Sequence, residues 1–194
     1  SFTGSHQYVL DYLMEAVLQR QPEALQAFLL RTSIPEQLNG ELCDALLEEE
    51  GGQSGRTPYV PSVDTWQELE RANLFIVPLD EERHWYRYHH LFGDLLRGQL
   101  QRLYPQQIKP LHLRASAWYE AQGLTSEAIH HALSAEDWSR AAGLVEAYGL
   151  GVLMHGEMLT VKNWLDSLPD SERSARPWLS LYLAWVLLLN GRPA

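Results

Sequence analysis

Apolar residues recur every third or fourth position along almost the whole chain, and this constrains the fold more than any other feature of the sequence. Such a period builds a stripe on one face of an α-helix, whereas a strand needs alternation. YVLDYLMEAVL (8–18) puts Val9, Tyr12, Leu13 and Ala16 on one face. Pro22 then opens a second helix, PEALQAFLLRTSI, with Leu25, Phe28, Leu29 and Ile34 as its stripe. Proline at a first helical position is pre-organised for that role. A third helix, GELCDALLEE (40–49), carries Leu42, Cys43, Leu46 and Leu47. EEEGGQSGRTPYVPS (48–62) loses the period and gathers acids, glycines and prolines, so it reads as a loop. SVDTWQELERANL (62–74) resumes it, with Ser62 or Asp64 as N-cap and Asn73 near its end.

Two short runs break the helical pattern. FIVPLD (75–80) and HWYRYH (84–89) are rich in aromatic and β-branched residues and flank the charged turn EER. They predict a β-hairpin, with Pro78 on an edge because proline cannot donate to a ladder. HLFGDLLRGQLQRLY (90–104) follows as a helix, with Leu91, Phe92, Leu95 and Leu96 as its stripe. Three helices followed by a hairpin is the layout of a winged helix, the hairpin serving as wing.

From residue 105 the pattern is helix after helix: LHLRASAWYEAQG, TSEAIHHALSA, DWSRAAGLVEAYG, EMLTVKNWLDSLP and RPWLSLYLAWVLLLNG. Tyr119, Gly123, Ala128 and Ala135 fall at offsets like those of a tetratricopeptide repeat. Small residues there let paired helices approach closely. The fold class expected is mainly α: a winged-helix module with a short β-hairpin wing, then TPR-like antiparallel helix pairs. The boundaries expected are 21–104 for the winged helix and 105–194 for the first repeats. The last helix is apolar nearly all round and is expected to pack on a further repeat. Both ends are expected to belong to a longer parent chain.

Composition removes several functions. With only two lysines, Lys109 and Lys162, and neither after a glycine, the chain has no phosphate-cradling P-loop of its own. The adjacent pairs His89–His90 and His130–His131 diverge on a strand or a helix, and neither HExxH nor CxxC occurs, so no metal site is expected. His130 and His131 read as helix-surface or packing residues. No GxSxG elbow is present, and no catalytic residue is expected. Cys43, the one cysteine, lies in an apolar stripe and reads as a small core residue. The net charge is −10, and residues 22–104 hold fourteen acids against seven arginines and no lysine. A winged helix that grips DNA would reverse that balance. No apolar run reaches the length of a membrane span, and no signal segment opens the chain, so a cytoplasmic location is expected.

The blocks FTGSHQYVLDYLMEAVLQRQPEALQAFLLRTSI, LCDAL, LERANLFIVPLDEERHWYRYHHLFGDLLRGQL and LHLRASAWYEAQGLTSEAIHHALSAEDWSRAAGLVE occur in that order. Their order and spacing resemble the middle of MalT-like, LuxR-type transcriptional regulators, which are signal-transduction ATPases of the STAND class. The resemblance covers about residues 1–150. It implies that residues 1–20 close a helical region after a P-loop ATPase domain of the same parent chain. It implies further partners: a small-molecule or protein inducer on the repeat arm, and DNA through a C-terminal helix-turn-helix that lies elsewhere in the parent. No cofactor is implied in this segment, and ATP or ADP with Mg²⁺ in the parent. No membrane partner is implied, and no catalysis by the segment alone.

The same resemblance singles out one histidine. YHHLFGDLL (88–96) is similar to the MHDLLRDLA-type motif of plant resistance proteins, which are also STAND ATPases. His89 takes the place of the motif histidine, which in that class closes on the β-phosphate of bound ADP. His90 replaces the motif acid, a departure from the pattern. The resemblance therefore implies a nucleotide-state contact by His89, with Arg87 and His90 in support. A purely structural strand-to-helix junction is the competing reading. Two other functions remain open on the residues alone. One is a stand-alone TPR-like scaffold anchoring a partner on Trp138, Trp164 or Trp178, residues more readily read as packing. The other is a DNA-binding winged helix, which the acidic balance disfavours.

Overall fold

The leucines and Phe28 of EALQAFLLR sit on one side of a helix, α1 (Glu23–Arg31), and Leu25, Phe28, Leu29 and Leu30 are buried there. The computed structural model describes residues 17–48, residue 69 and residues 75–190. Pro22 stands one position earlier than the sequence predicts, as the N-cap of α1 with φ −53° and ψ 146°. Its extended ψ ends the preceding segment while its fixed φ suits the helix entry. Ile34 lies beyond the helix end and is half-buried. The second helix, α2 (Gly40–Leu47), buries Leu42, Cys43, Leu46 and Leu47. Asn39 caps it, its side chain accepting from the amide of Leu42 at 2.8 Å. Burial pushes the Cys43 thiol strongly up, which keeps it protonated and inert.

The hairpin forms as β1 (Ile76–Pro78) and β2 (Tyr86–Tyr88), antiparallel, with Ile76 opposite Tyr88 and Pro78 opposite Tyr86. Asp80 holds the connecting turn by accepting from the amides of His84 and Trp85 at 2.8 and 2.9 Å. The sequence does not announce a third contribution, from Leu38. It exchanges both backbone hydrogen bonds with Tyr86, each 2.8 Å, so β2 is flanked on both sides and β1 is the edge. Pro78 thus sits where a missing N–H costs nothing. The next helix, α3 (His90–Leu103), packs on α1 and buries Phe92, Leu96 and Leu100. Tyr88 and Phe75 both pack against Phe92, at ring distances of 5.9 and 5.7 Å. The helix expected over 62–74 lies outside the described residues except Leu69, which is helical and buried.

The chain divides into two compact units, 1–111 and 112–194. The division falls inside α4 (Pro105–Ala121), which starts six residues before the expected LHLRASAWYEAQG segment and carries Pro110 within it. In the second unit come α5 (Thr125–Ser134), α6 (Trp138–Met154), α7 (Met158–Ser167), α8 (Asp170–Ala175) and α9 (Pro177–Asn190). Sequential neighbours pack: α5 on α6, α6 on α7, and α9 on both α6 and α7. Tyr119, Ala128 and Ala135 are buried, and Gly123 turns the chain with φ +74°, a conformation that favours glycine. The architecture is mainly α, a winged helix with a hairpin wing followed by TPR-like helix pairs.

Candidate functional site

His89 lies between β2 and α3, as the N-cap of the helix. Its amide donates to the carbonyl of Phe75 at 2.6 Å, continuing the hairpin ladder by one bond. Its carbonyl accepts from the amides of Phe92 and Gly93, both at 2.9 Å, which starts the helix. With φ −56° and ψ 136° it occupies the N-cap, yet its side chain makes no capping hydrogen bond. The backbone is therefore fixed from both sides while the ring stands exposed. The ring lies 4.3 Å from that of His90 and 6.4 Å, edge-on, from that of Phe75.

The alternation of β2 decides the neighbours. Tyr86 and Tyr88 point into the core and Arg87 points out, so the strand is buried, exposed, buried. Tyr88 reaches Thr32, with the two hydroxyls 2.7 Å apart. Arg87, His89 and His90 are all exposed. They stand within four consecutive residues that end at the positive end of the α3 dipole. Such a set offers donors and no acid to an anion. Arg97, one helical face further on, is already engaged by Asp94 at 2.7 Å and by the carbonyl of Ser33 at 3.1 Å.

The second unit holds a constellation that sequence reasoning missed. His112 on α4 and His131 on α5 bring their Nδ1 atoms within 2.8 Å. His131 is buried, and its ring stacks on Tyr119 at 5.3 Å and 10°. His130 is exposed beside it. One clue existed in the sequence. His131 follows Ala128 by three positions and precedes Ala135 by four, so it shares the inward face of α5. Nothing in the sequence could supply the partner nineteen positions earlier. Nearby, Arg140 donates to Ser116 at 2.9 Å and to Glu120 at 2.6 Å, and Ser116 donates to the carbonyl of Ala128 at 2.8 Å. Glu120 and Arg140 border an open groove of about 510 Å³ whose lining also includes Asp137, Gly143 and Leu144.

The tryptophans need one correction. Trp164 is buried and Trp138 half-buried, as packing residues should be, but Trp178 is 54% exposed. It lies on the outer side of α9 with Leu181, Trp185 and Leu188, while Leu179, Tyr182 and Val186 take the inner side. Among the described residues no group of three or more His, Cys, Asp or Glu is placed to hold a metal ion. Among the same residues no helix is long and apolar enough to cross a membrane.

Residues 14–108 match the family described as the MalT winged helix domain. The chain is 33% identical over 192 residues, 99% of its length, to the serine/threonine-protein kinase PknK of Mycobacterium tuberculosis. It is 32% identical over 180 residues to the HTH-type transcriptional regulator MalT of Cronobacter sakazakii, and 30% over 182 residues to that of Vibrio campbellii. Those two matches cover 93% and 94% of this chain. The chain spans under a fifth of the length of these relatives, 16% of the kinase and 19% of each regulator.

Proposed function

We propose that this chain, which through residues 14–108 belongs to the MalT winged-helix domain family, is the coupling segment of a MalT-type regulator. In this reading it passes the nucleotide state of an upstream ATPase domain to a helical-repeat arm that answers an inducer. The segment itself performs no catalysis. ATP or ADP, with Mg²⁺, binds the ATPase domain, and DNA is read by a separate C-terminal domain. The acidic balance of residues 22–104 agrees with a winged helix that faces protein rather than a phosphate backbone. The names of the relatives support a coupling role in a further way. The same stretch occurs in a protein named as a kinase and in proteins named as transcriptional regulators, so what they share is the input side and not the output.

The observation that carries the reading is the set-up of His89. Its backbone is held by the ladder on one side and by the helix on the other, and its ring stands in solvent beside His90 and Arg87. A backbone so held loses little freedom when the ring meets a phosphate, and a diphosphate favours the protonated, doubly donating form of an imidazole. Contact with ADP would tie the winged helix to the ATPase domain. Replacing ADP by ATP would then shift the population toward an arrangement without that contact. A ligand shifts such an equilibrium only through its differential affinity, so the histidine contributes only if it touches one state better than the other.

The test uses the full-length protein that carries this segment. It is purified, denatured, and its co-purified ADP quantified for wild type, His89→Ala and His90→Ala. Because His89 is exposed, its replacement should change stability by no more than about 0.5 kcal/mol. Near-stoichiometric ADP in wild type, with a loss of most of it in His89→Ala and little change in His90→Ala, is the expected result. Equal ADP in all three, or none in wild type, contradicts it. The scaffold reading keeps one observation, the exposed row Trp178, Leu181, Trp185 and Leu188 on α9. It predicts a peptide or protein bound by the repeats with an affinity indifferent to nucleotide.

A further inference from the structure

We propose that the imidazoles of His112 and His131 form a proton-sensitive latch, which closes α4 on α5 while both rings are neutral and releases the pair when both are protonated.

The contact itself sets the chemistry. Two Nδ1 atoms 2.8 Å apart can share only one proton, so one ring donates and the other accepts. The accepting ring then carries its own proton on Nε2. A first added proton can go to the bare Nε2 of the donating ring, and the contact survives as a charge-assisted bond. A second can go only to the accepting Nδ1. Two N–H groups would then face each other at contact distance, and the rings must part. His131 is 3% exposed and stacks on Tyr119, while Ala128 and Ala132 on the same face are fully buried. Turning its ring to solvent therefore means separating α5 from α4.

The surrounding charges do nothing to hold a proton there. On α5 the neighbour is His130, whose charge opposes protonation of both rings, and Glu127, four positions before His131, is exposed. On α4, Arg114 is a further cation and Glu120 is paired with Arg140 of α6 at 2.6 Å. On α6, Asp137 caps the helix by accepting from the Arg140 amide, and Glu146 is paired with Arg176. On α7, Lys162 is paired with Asp166. Burial, then the charge of His130, lowers His112 to about 4, and burial, then the charges of His112 and His130, lowers His131 to about 3. The sign follows from linkage. Both folded values lie below the ordinary histidine value of 6.5. The stabilisation from the closed pair is thus fully present above that value and is lost as pH falls toward 4 and 3.

The test is residue-resolved amide exchange on the 194-residue chain between about pH 7 and pH 5, corrected for intrinsic rates. Opening that takes up two protons should grow by as much as about 100-fold per pH unit. We expect the protection of α5 amides to fall more than about tenfold across the range while α7 and α9 keep theirs. His131→Phe keeps a ring against Tyr119 and cannot titrate, and it should remove most of that pH dependence. If His131→Phe does not fold, imidazole nitrogen shifts of the wild type decide. They should show one protonated and one bare Nδ1 at neutral pH, with neither ring titrating above about 5. A ring that titrates near its ordinary value, or α5 protection that falls equally in wild type and His131→Phe, overturns the latch.

Discussion

Gly149 sits on the inner face of α6 under the ring of Tyr182, and a Cβ added there would lie 3.1 Å from Cε2 and 3.2 Å from Cδ2. The ring has little room to move, because the Tyr182 hydroxyl donates to the carbonyl of Glu146 at 3.1 Å. Two effects therefore compete in Gly149→Ala. Helix propensity alone favours alanine by about 1 kcal/mol, while overpacking costs about 1–3 kcal/mol. We predict a net loss of stability in urea denaturation of Gly149→Ala. On the same helix Gly151 has open space around it, so Gly151→Ala should gain up to about 1 kcal/mol. If the two substitutions act alike, the α6–α9 contact is looser than described. Histidines divide in the same residue-by-residue way. His131 is an interior group and His89 an exposed one, so the role proposed for the first depends on its staying neutral and that proposed for the second on what comes to meet it.

Elements were the most legible level of the sequence. The stripe of α2 is the set read from the period, while α1 keeps Leu25, Phe28 and Leu29 and buries Leu30 in place of Ile34, and α3 buries Phe92, Leu96 and Leu100 but leaves Leu91 and Leu95 half-buried. The hairpin and its edge proline were equally legible, since alternation and turn chemistry are local signals. What escaped are features that only tertiary contact creates. Leu38 joins the wing through two backbone bonds from a single residue, too short to leave a pattern. The helix α8 is DSERSA, with no buried residue and so no stripe to find. The His112–His131 contact joins two helices by one atom pair. Asn39, just before the apolar stripe of α2, is legible as a cap from residue type alone. Its side chain holds the first turn of α2, so Asn39→Ala should cost about 1 kcal/mol in thermal or chemical denaturation. An unchanged stability would show that water or a neighbour replaces the cap.

At the scale of the whole molecule the account has an input side, the junction at His89, and a response side, the helix pairs that follow. The lack of a P-loop sequence and the acidic balance of residues 22–104 are readable without coordinates. Composition could not indicate which side of α9 would be left uncovered, since nearly all its residues are apolar and burial there depends on what packs against it. The central claim is that nucleotide state reaches this segment through the His89 junction. Hydrogen exchange of residues 75–95 in the full-length protein, with ADP and then with ATP bound, tests it most directly. The account predicts amides and neighbours of His89 at the start of α3 more protected with ADP than with ATP, and the difference abolished by His89→Ala. The same exchange in both nucleotide states, in wild type and variant alike, would contradict it.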